Sequence, residues 1–182
     1  MRRLKRIGKT IVVIVIILII LRGIIYNSSA YYINNPYIPI AGHLNKHDLT
    51  LIKGEEFRLF YYGLNKRVSF SSSDFRIIGV DFLGRIYAYQ TGKAYVKVNV
   101  DNKLLKCRVR VIDINYKSLR LNKGNSKRLH IQGYNGIVKW NSSNKDVVKI
   151  NAFGKIKCLN KGRSTISANV KGKKLKCKIY VR

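Results

Sequence analysis

The chain has 182 residues, 46% of them hydrophobic, which is room for one medium domain or two small ones. Its 37 Lys and Arg against 8 Asp and Glu give a formal charge of +29, so anionic surfaces and polymers attract it through a long-range, salt-sensitive field. So few acids leave little for paired-carboxylate hydrolysis. Three cysteines without a CxxC, and with no histidine near them in sequence, argue against a zinc or redox motif.

Residues 1–26 stand apart. Arg2, Arg3, Lys5, Arg6 and Lys9 come first without an acid, and residues 11–21 are an unbroken run of Ile, Val and Leu that resumes after Arg22-Gly23 as far as Tyr26. As a helix, residues 11–26 cover about 24 Å at 1.5 Å per residue, a little short of a hydrocarbon core of about 30 Å. Arg22 lies near the far end, where it reaches the interface. Two readings fit: a retained single-pass anchor with a cytoplasmic N-terminus, and a cleaved signal peptide with Ser28-Ser29-Ala30 at the cleavage site. Both export the remainder, as a membrane-held or a secreted protein. Residues 27–48 hold both prolines, Pro36 and Pro39, and read as an extracellular stalk.

Beyond the stalk the chain is written twice. A shift of 70 residues lays residues 49–112 over 119–182 without a gap, with 21 identical pairs including Leu49/Leu119, Gly54/Gly124, Leu59/Leu129, Ser72/Ser142, Gly84/Gly154 and Cys107/Cys177. Within each copy apolar residues alternate with polar ones. In "KLKCKIYVR" Leu175, Cys177, Ile179 and Val181 share one side, and Lys176, Lys178, Tyr180 and Arg182 the other, the period of a half-buried strand. Glycines fall between such runs, and six or seven short strands per copy read as an antiparallel β-sandwich. The expected organisation is all-β: two tandem sandwiches, 49–112 and 119–182, with a joint at 113–118. The chain closes one residue after its last expected strand, which reads as leaving no separate effector domain.

The second copy resembles the bacterial immunoglobulin-like domain of group 2. The resemblance rests on its leading Leu-x-Leu-x-x-Gly (Leu119, Leu121, Gly124), Trp140, Ser142, Ser143 and Asn144, the pair Val147-Val148, Gly154 with Ile156, Gly162 with Ile166, and a closing strand that carries Cys177. The first copy departs from it, with Phe70 for the Trp and Asp74 for the Asn. The resemblance implies an Ig-like sandwich of the kind found in cell-surface adhesins and as a spacer in exported bacterial proteins. It implies no active site and no cofactor.

The residues themselves offer few sites. Cys107 and Cys177 lie on the inward phase and read as buried thiols. Cys158 is also inward and pairs with Cys177 only if the fold brings their Cα atoms within about 7 Å; the first copy has Ala88 opposite Cys158. His43, His47 and Asp48 clasp a metal only if they share one helical turn, so no metal is expected. The paired serines read as turn elements and Trp140 as a core anchor. The basic surface is what exceeds an ordinary domain. The first copy has 12 Lys and Arg against 5 acids, the second 17 against 1, Asp146. Lys155, Lys157, Lys176, Lys178 and Arg182 take the outward phase, and form one lysine-covered face if their strands share a sheet. The expected protein is a non-enzymatic surface protein acting in adhesion or as a spacer. Its expected partner is an anionic cell-wall polymer or glycan, with the membrane reached through residues 1–26. Extracellular nucleic acid is the alternative partner, and an accessory subunit of a surface enzyme or envelope complex the alternative role.

Overall fold

The computed structural model describes residues 14–18, 42–63 and 66–182. It divides into two units, Met1–His43 with Tyr61–Lys66, and Leu44–Phe60 with Arg67–Arg182. In the first, residues 14–18 are helical and exposed. Among the described residues no helix is long and apolar enough to cross a membrane. The rest of the expected anchor, and the stalk through residue 41, lie outside the described residues. A two-stranded ladder joins β1 (His43–Leu44) to β4 (Tyr61–Tyr62), and there the His43 and Tyr62 rings lie 5.0 Å apart.

The second unit carries both copies of the repeat. In the first module β2 (Asp48–Ile52), β9 (Lys103–Ile114), β8 (Gly92–Val100) and β5 (Val68–Ser72) make one sheet in that order, and β3 (Glu56–Arg58), β7 (Arg85–Ala88) and β6 (Ile78–Val80) the other. The second module repeats this. One sheet is β10 (Ser118–Leu121), β17 (Lys173–Val181), β16 (Gly162–Val170) and β13 (Lys139–Ser142); the other is β11 (Ser126–Arg128), β15 (Lys155–Cys158) and β14 (Val148–Ile150). All pairs in these sheets are antiparallel except β2 with β9 and β10 with β17.

Alternation decides which side chains fill the core. Leu175, Cys177, Ile179 and Val181 are buried against Ile166, Ala168, Ile156, Val148 and Cys158, and the Trp140 ring packs partly buried on this cluster. Each fully buried Ile or Leu contributes about 1.5–3 kcal/mol, which a module of this size needs. The turns use side-chain oxygens. The Asn151 Oδ1 accepts from the N–H groups of Phe153 and Lys155, as Asp81 does from Leu83 and Arg85 seventy residues earlier. The repeated serines act in the same way. Ser143 Oγ accepts from the Thr165 N–H at 2.8 Å, and Ser142 Oγ donates to the Val148 carbonyl at 2.7 Å and lies 3.0 Å from Ser164 Oγ.

Residues 113–118, expected as a joint, begin inside a strand. β9 runs through to Ile114, and its last residues pair with β12 (Ile131–Gln132) of the second module, Ile114 with Ile131 and Asp113 with Gln132. The strand changes allegiance on the way. Cys107, Val109 and Val111 are its buried side in the first module, whereas Ile112 and Ile114, on the opposite phase, belong to the core of the second. Ile52, the register partner of Ile112 on β2, packs on that same core. Asn122 and Arg182 stand at the equivalent places of the second module, both exposed. The modules are therefore joined through one strand whose two faces serve two cores. A part-buried ion pair between Lys173 and Glu55, 2.6 Å long, also bridges them.

All three thiols are buried and unbridged, Cys158 and Cys177 on opposite sheets. Burial pushes the Cys107 and Cys177 thiols up to about 11, the nearby Asp48 adding to the effect at Cys107, and also raises Cys158. An unfolded thiol ionises near pH 9 while the folded ones hold their protons, so the stability these thiols contribute is complete below pH 9 and is lost as pH rises to about 11. Two pK units correspond to roughly 2–3 kcal/mol per thiol. Between pH 8 and pH 10.5 the urea midpoint should fall further for this protein than for a Cys107→Ala/Cys177→Ala variant. Equal falls would show that the thiols do not titrate differently on unfolding.

Candidate anionic-polymer interface

The five residues expected to share a face are split. Lys155 and Lys157 lie on β15, in the three-stranded sheet, and Lys176 and Lys178 on β17, in the four-stranded one, with Arg182 following it. Alternation along a strand says which residues point outward but not which sheet the strand joins. The second module therefore carries two basic faces, one on each sheet, and more cations than the five named.

The larger face belongs to the four-stranded sheet. Along β17 its outward residues are Lys174, Lys176, Lys178 and Tyr180, set opposite Asn169, Ser167, Thr165 and Arg163 on β16. Ser118 and Arg120 of β10 flank Lys178 and Tyr180, while Lys139 and Asn141 of β13 flank Asn169 and Ser167. The Arg163 guanidinium sits 5.6 Å above the Tyr180 ring. A lane of three lysines thus runs beside a lane of amides and hydroxyls, with no carboxylate in either. Neighbouring lysines two residues apart have Cα atoms about 6.8 Å apart, and repel by about 0.6 kcal/mol per pair in water before screening. On the opposite sheet Lys157 stands between Ser126 and Lys149, and Lys155 beside Arg128.

The first module pairs two of the corresponding positions with acids and, among the described residues, leaves Lys106, equivalent to Lys176, without one. Arg108, equivalent to Lys178, is ion-paired with Asp48, and Arg85, equivalent to Lys155, with Glu56 at 3.4 Å. The Arg108 guanidinium beside Asp48 holds that carboxyl below its ordinary value, and Arg76 does the same for Asp74. Such exposed pairs add only about 0–1 kcal/mol of stability, but they remove the excess positive field locally. Ser118 replaces Asp48 in the second module, Ser126 replaces Glu56, and the field there is left uncompensated.

Other candidates resolve into structure. Among the described residues no cluster of three or more His, Cys, Asp or Glu side chains is placed to hold a metal; Asp48 is engaged by Arg108, and His130 is exposed in the link between β11 and β12. Sequence reasoning missed Asn45 and Asn115. Asn115 Oδ1 accepts from the His130 N–H and its Nδ2 donates to the Arg128 carbonyl; Asn45 does the same with Phe60 and Arg58. Their identity at a spacing of 70 was the available signal, upstream of where the repeat had been started.

Residues 108–179 match the family model of the bacterial Ig-like domain (group 2). The matched stretch, 72 of the 182 residues, is similar to that domain and takes in nearly all of the second module. The match opens at Arg108, inside β9, consistent with a strand whose end serves the second module's own core. No curated protein matches the chain. Among solved structures, a C-terminal 282-residue fragment of intimin, in complex with the intimin-binding domain of the translocated intimin receptor, is similar at 15% identity. The alignment covers 76% of this chain and 62% of the fragment, with a TM-score of 0.46. Invasin, a bacterial integrin-binding protein, is similar at 13% identity over 77% of this chain and 38% of its own, with a TM-score of 0.42. The S-layer protein rSbsC(31-844) is similar at 20% identity over 63% and 20%, with a TM-score of 0.32. The chain spans less than two thirds of each.

Proposed function

We propose that this is a non-enzymatic surface protein in which tandem Ig-like modules serve adhesion or spacing, held to the membrane through residues 1–26, and that the second module engages an anionic polymer of the cell envelope. The observation that carries the reading is the contrast between the modules. The first pairs its outward Arg108 and Arg85 with acids, whereas the second presents Lys174, Lys176 and Lys178 on a face without a carboxylate. Cations held at strand spacing beside hydroxyl and amide groups suit a flexible polyanion, which relieves their mutual repulsion without needing a pocket. Arg120, Lys139 and Arg163 extend the face, and Lys155, Lys157, Lys149 and Arg128 form a second one behind it.

The test is retention of the full-length protein on purified cell wall. The expected result is a dissociation constant at least tenfold higher at 0.5 M salt than at 50 mM, where the Debye length is about 4 Å and about 14 Å respectively. A Lys174→Gln/Lys176→Gln/Lys178→Gln variant should lose most of the low-salt binding. Retention that ignores salt would overturn the reading, and duplex DNA displacing wall polymer at equal charge would move the partner to nucleic acid.

A further inference from the structure

Where the two modules meet, the structure encloses a half-open cavity of about 370 Å³, lined by Gly92, Lys93, Arg110 and the run Gly133, Tyr134, Asn135 and Gly136. This is a different place from the sheet faces above, and it is built differently. Lys93 and Arg110 are direct cross-strand partners on β8 and β9. Like charges set opposite each other on a sheet are destabilising, and no carboxylate lines the cavity. The two acids of the junction are engaged elsewhere, Asp113 with Lys117 and Glu55 with Lys173. Arg110 instead lies 5.9 Å from the centre of the Tyr134 ring. A guanidinium stacked on an aromatic face keeps its N–H edge free and holds it in a fixed plane, the arrangement that forks onto an oxyanion.

The opposite wall is backbone. Gly133 has φ of +76°, and a Cβ there would collide with the Val111 carbonyl oxygen of β9, so glycine lets the second module's loop settle directly on the first module's strand. At Gly136 a Cβ would run into the Tyr134 ring and hydroxyl. The N–H groups of Tyr134, Asn135 and Gly136 make no hydrogen bond among the described residues. Two cations, Arg110 within the field of Asp48 but neither with a carboxylate in the cavity lining, thus face a glycine-rich loop with free donors, beside the side of a tyrosine.

We propose that this inter-module cavity is a discrete binding site for one oxyanion-bearing sugar or polyol unit, with Arg110 and Lys93 holding the anion and Tyr134 and the loop amides contacting the unit that carries it. This rests on the reading of the chain as a binder of anionic polymers. It adds a site that recognises a single repeat, where the sheet faces recognise only charge density. The volume lies at the small end of the range for ligand cavities, about 300–1,000 Å³, so the site takes a single unit of a chain. The oxyanion is a phosphate or a carboxylate, and the probes below separate these.

The experiment measures calorimetric binding of short probes to the full-length protein at 50 mM salt: a glycerol phosphate trimer, a galacturonate trimer and neutral maltotriose. One charged trimer should bind and maltotriose should not, and the charged trimer that binds identifies the anion. Lys93→Gln/Arg110→Gln should raise the dissociation constant of that trimer at least tenfold, and the exposed Lys93→Gln alone, which puts no core packing at risk, about threefold. Lys176→Gln/Lys178→Gln, equal in charge removed, should change it less than twofold. Equal losses from both double variants, binding of maltotriose, or no trimer binding would overturn the site. Salt-sensitive retention on whole wall would in those cases leave the proposed function standing, so the two readings fail separately.

Discussion

Replacing Ile112 with arginine, the residue at the equivalent place in the second module, will take most of the second module's stability and bring it to unfold well before the first. Ile112 is fully buried in the second module's core, yet it sits on the strand face that carries Arg108 and Arg110 outward in the first. An unpaired charge in that core costs about 3–5 kcal/mol. A module of about 70 residues has only about 4–10 kcal/mol to lose. The thiols report each module separately, because Cys107 belongs to the first and Cys158 and Cys177 to the second. Pulse alkylation followed by mass spectrometry should find Cys158 and Cys177 labelled at urea concentrations where Cys107 is still protected. Labelling of all three together would mean that the modules unfold as one, and labelling of none would place residue 112 outside the core.

Gly154→Ala should destabilise the second module by about 3 kcal/mol or more, and Gly124→Ala by only about 1 kcal/mol. Both glycines have positive φ, +77° and +85°. They differ in what a side chain would meet. At Gly154 a Cβ would collide with the Leu129 carbonyl oxygen and lie 3.1 Å from the Trp140 ring, whereas at Gly124 nothing lies within 4 Å. Backbone strain is common to the two variants, and the difference isolates the collision. Chemical denaturation followed by Trp140 fluorescence, which reports the second module alone, checks both. Equal losses would mean that the turn gives way and the Trp140 packing is not displaced.

Strand positions, inward phases and buried thiols were legible because each follows from the period-2 pattern and its repetition at 70 residues. Leu175, Cys177, Ile179 and Val181 needed no tertiary information to be placed inside. What the pattern left out is pairing between distant segments. Lys155 and Lys176 look alike along their own strands, and only the pairing of β15 with β11 and β14, and of β17 with β10 and β16, sends them to opposite sides. The junction was hidden for a related reason. It resides in departures from the repeat, Ile52 against Asn122 and Ile112 against Arg182, and a search for identities passes over those positions. The basic cavity depends on the same joint: Arg110 and Tyr134 are 24 residues apart in sequence and meet because β12 pairs with the end of β9.

The shared strand has a mechanical consequence. β2 runs parallel to β9 over five paired residues, and β10 parallel to β17 over four. Tension applied along the chain pulls the start of β2 one way and the end of β9 the other, so the ladder between them is loaded in shear and its hydrogen bonds must give together instead of peeling one at a time. Because β9 passes into the second module without a break, load leaves the first ladder and enters the next through a single taut segment. Survival under such a pull is set by an unfolding rate, not by an equilibrium stability. Under the proposed function, with one end held at the membrane and the other on a polymer, that rate would set how long the tether holds.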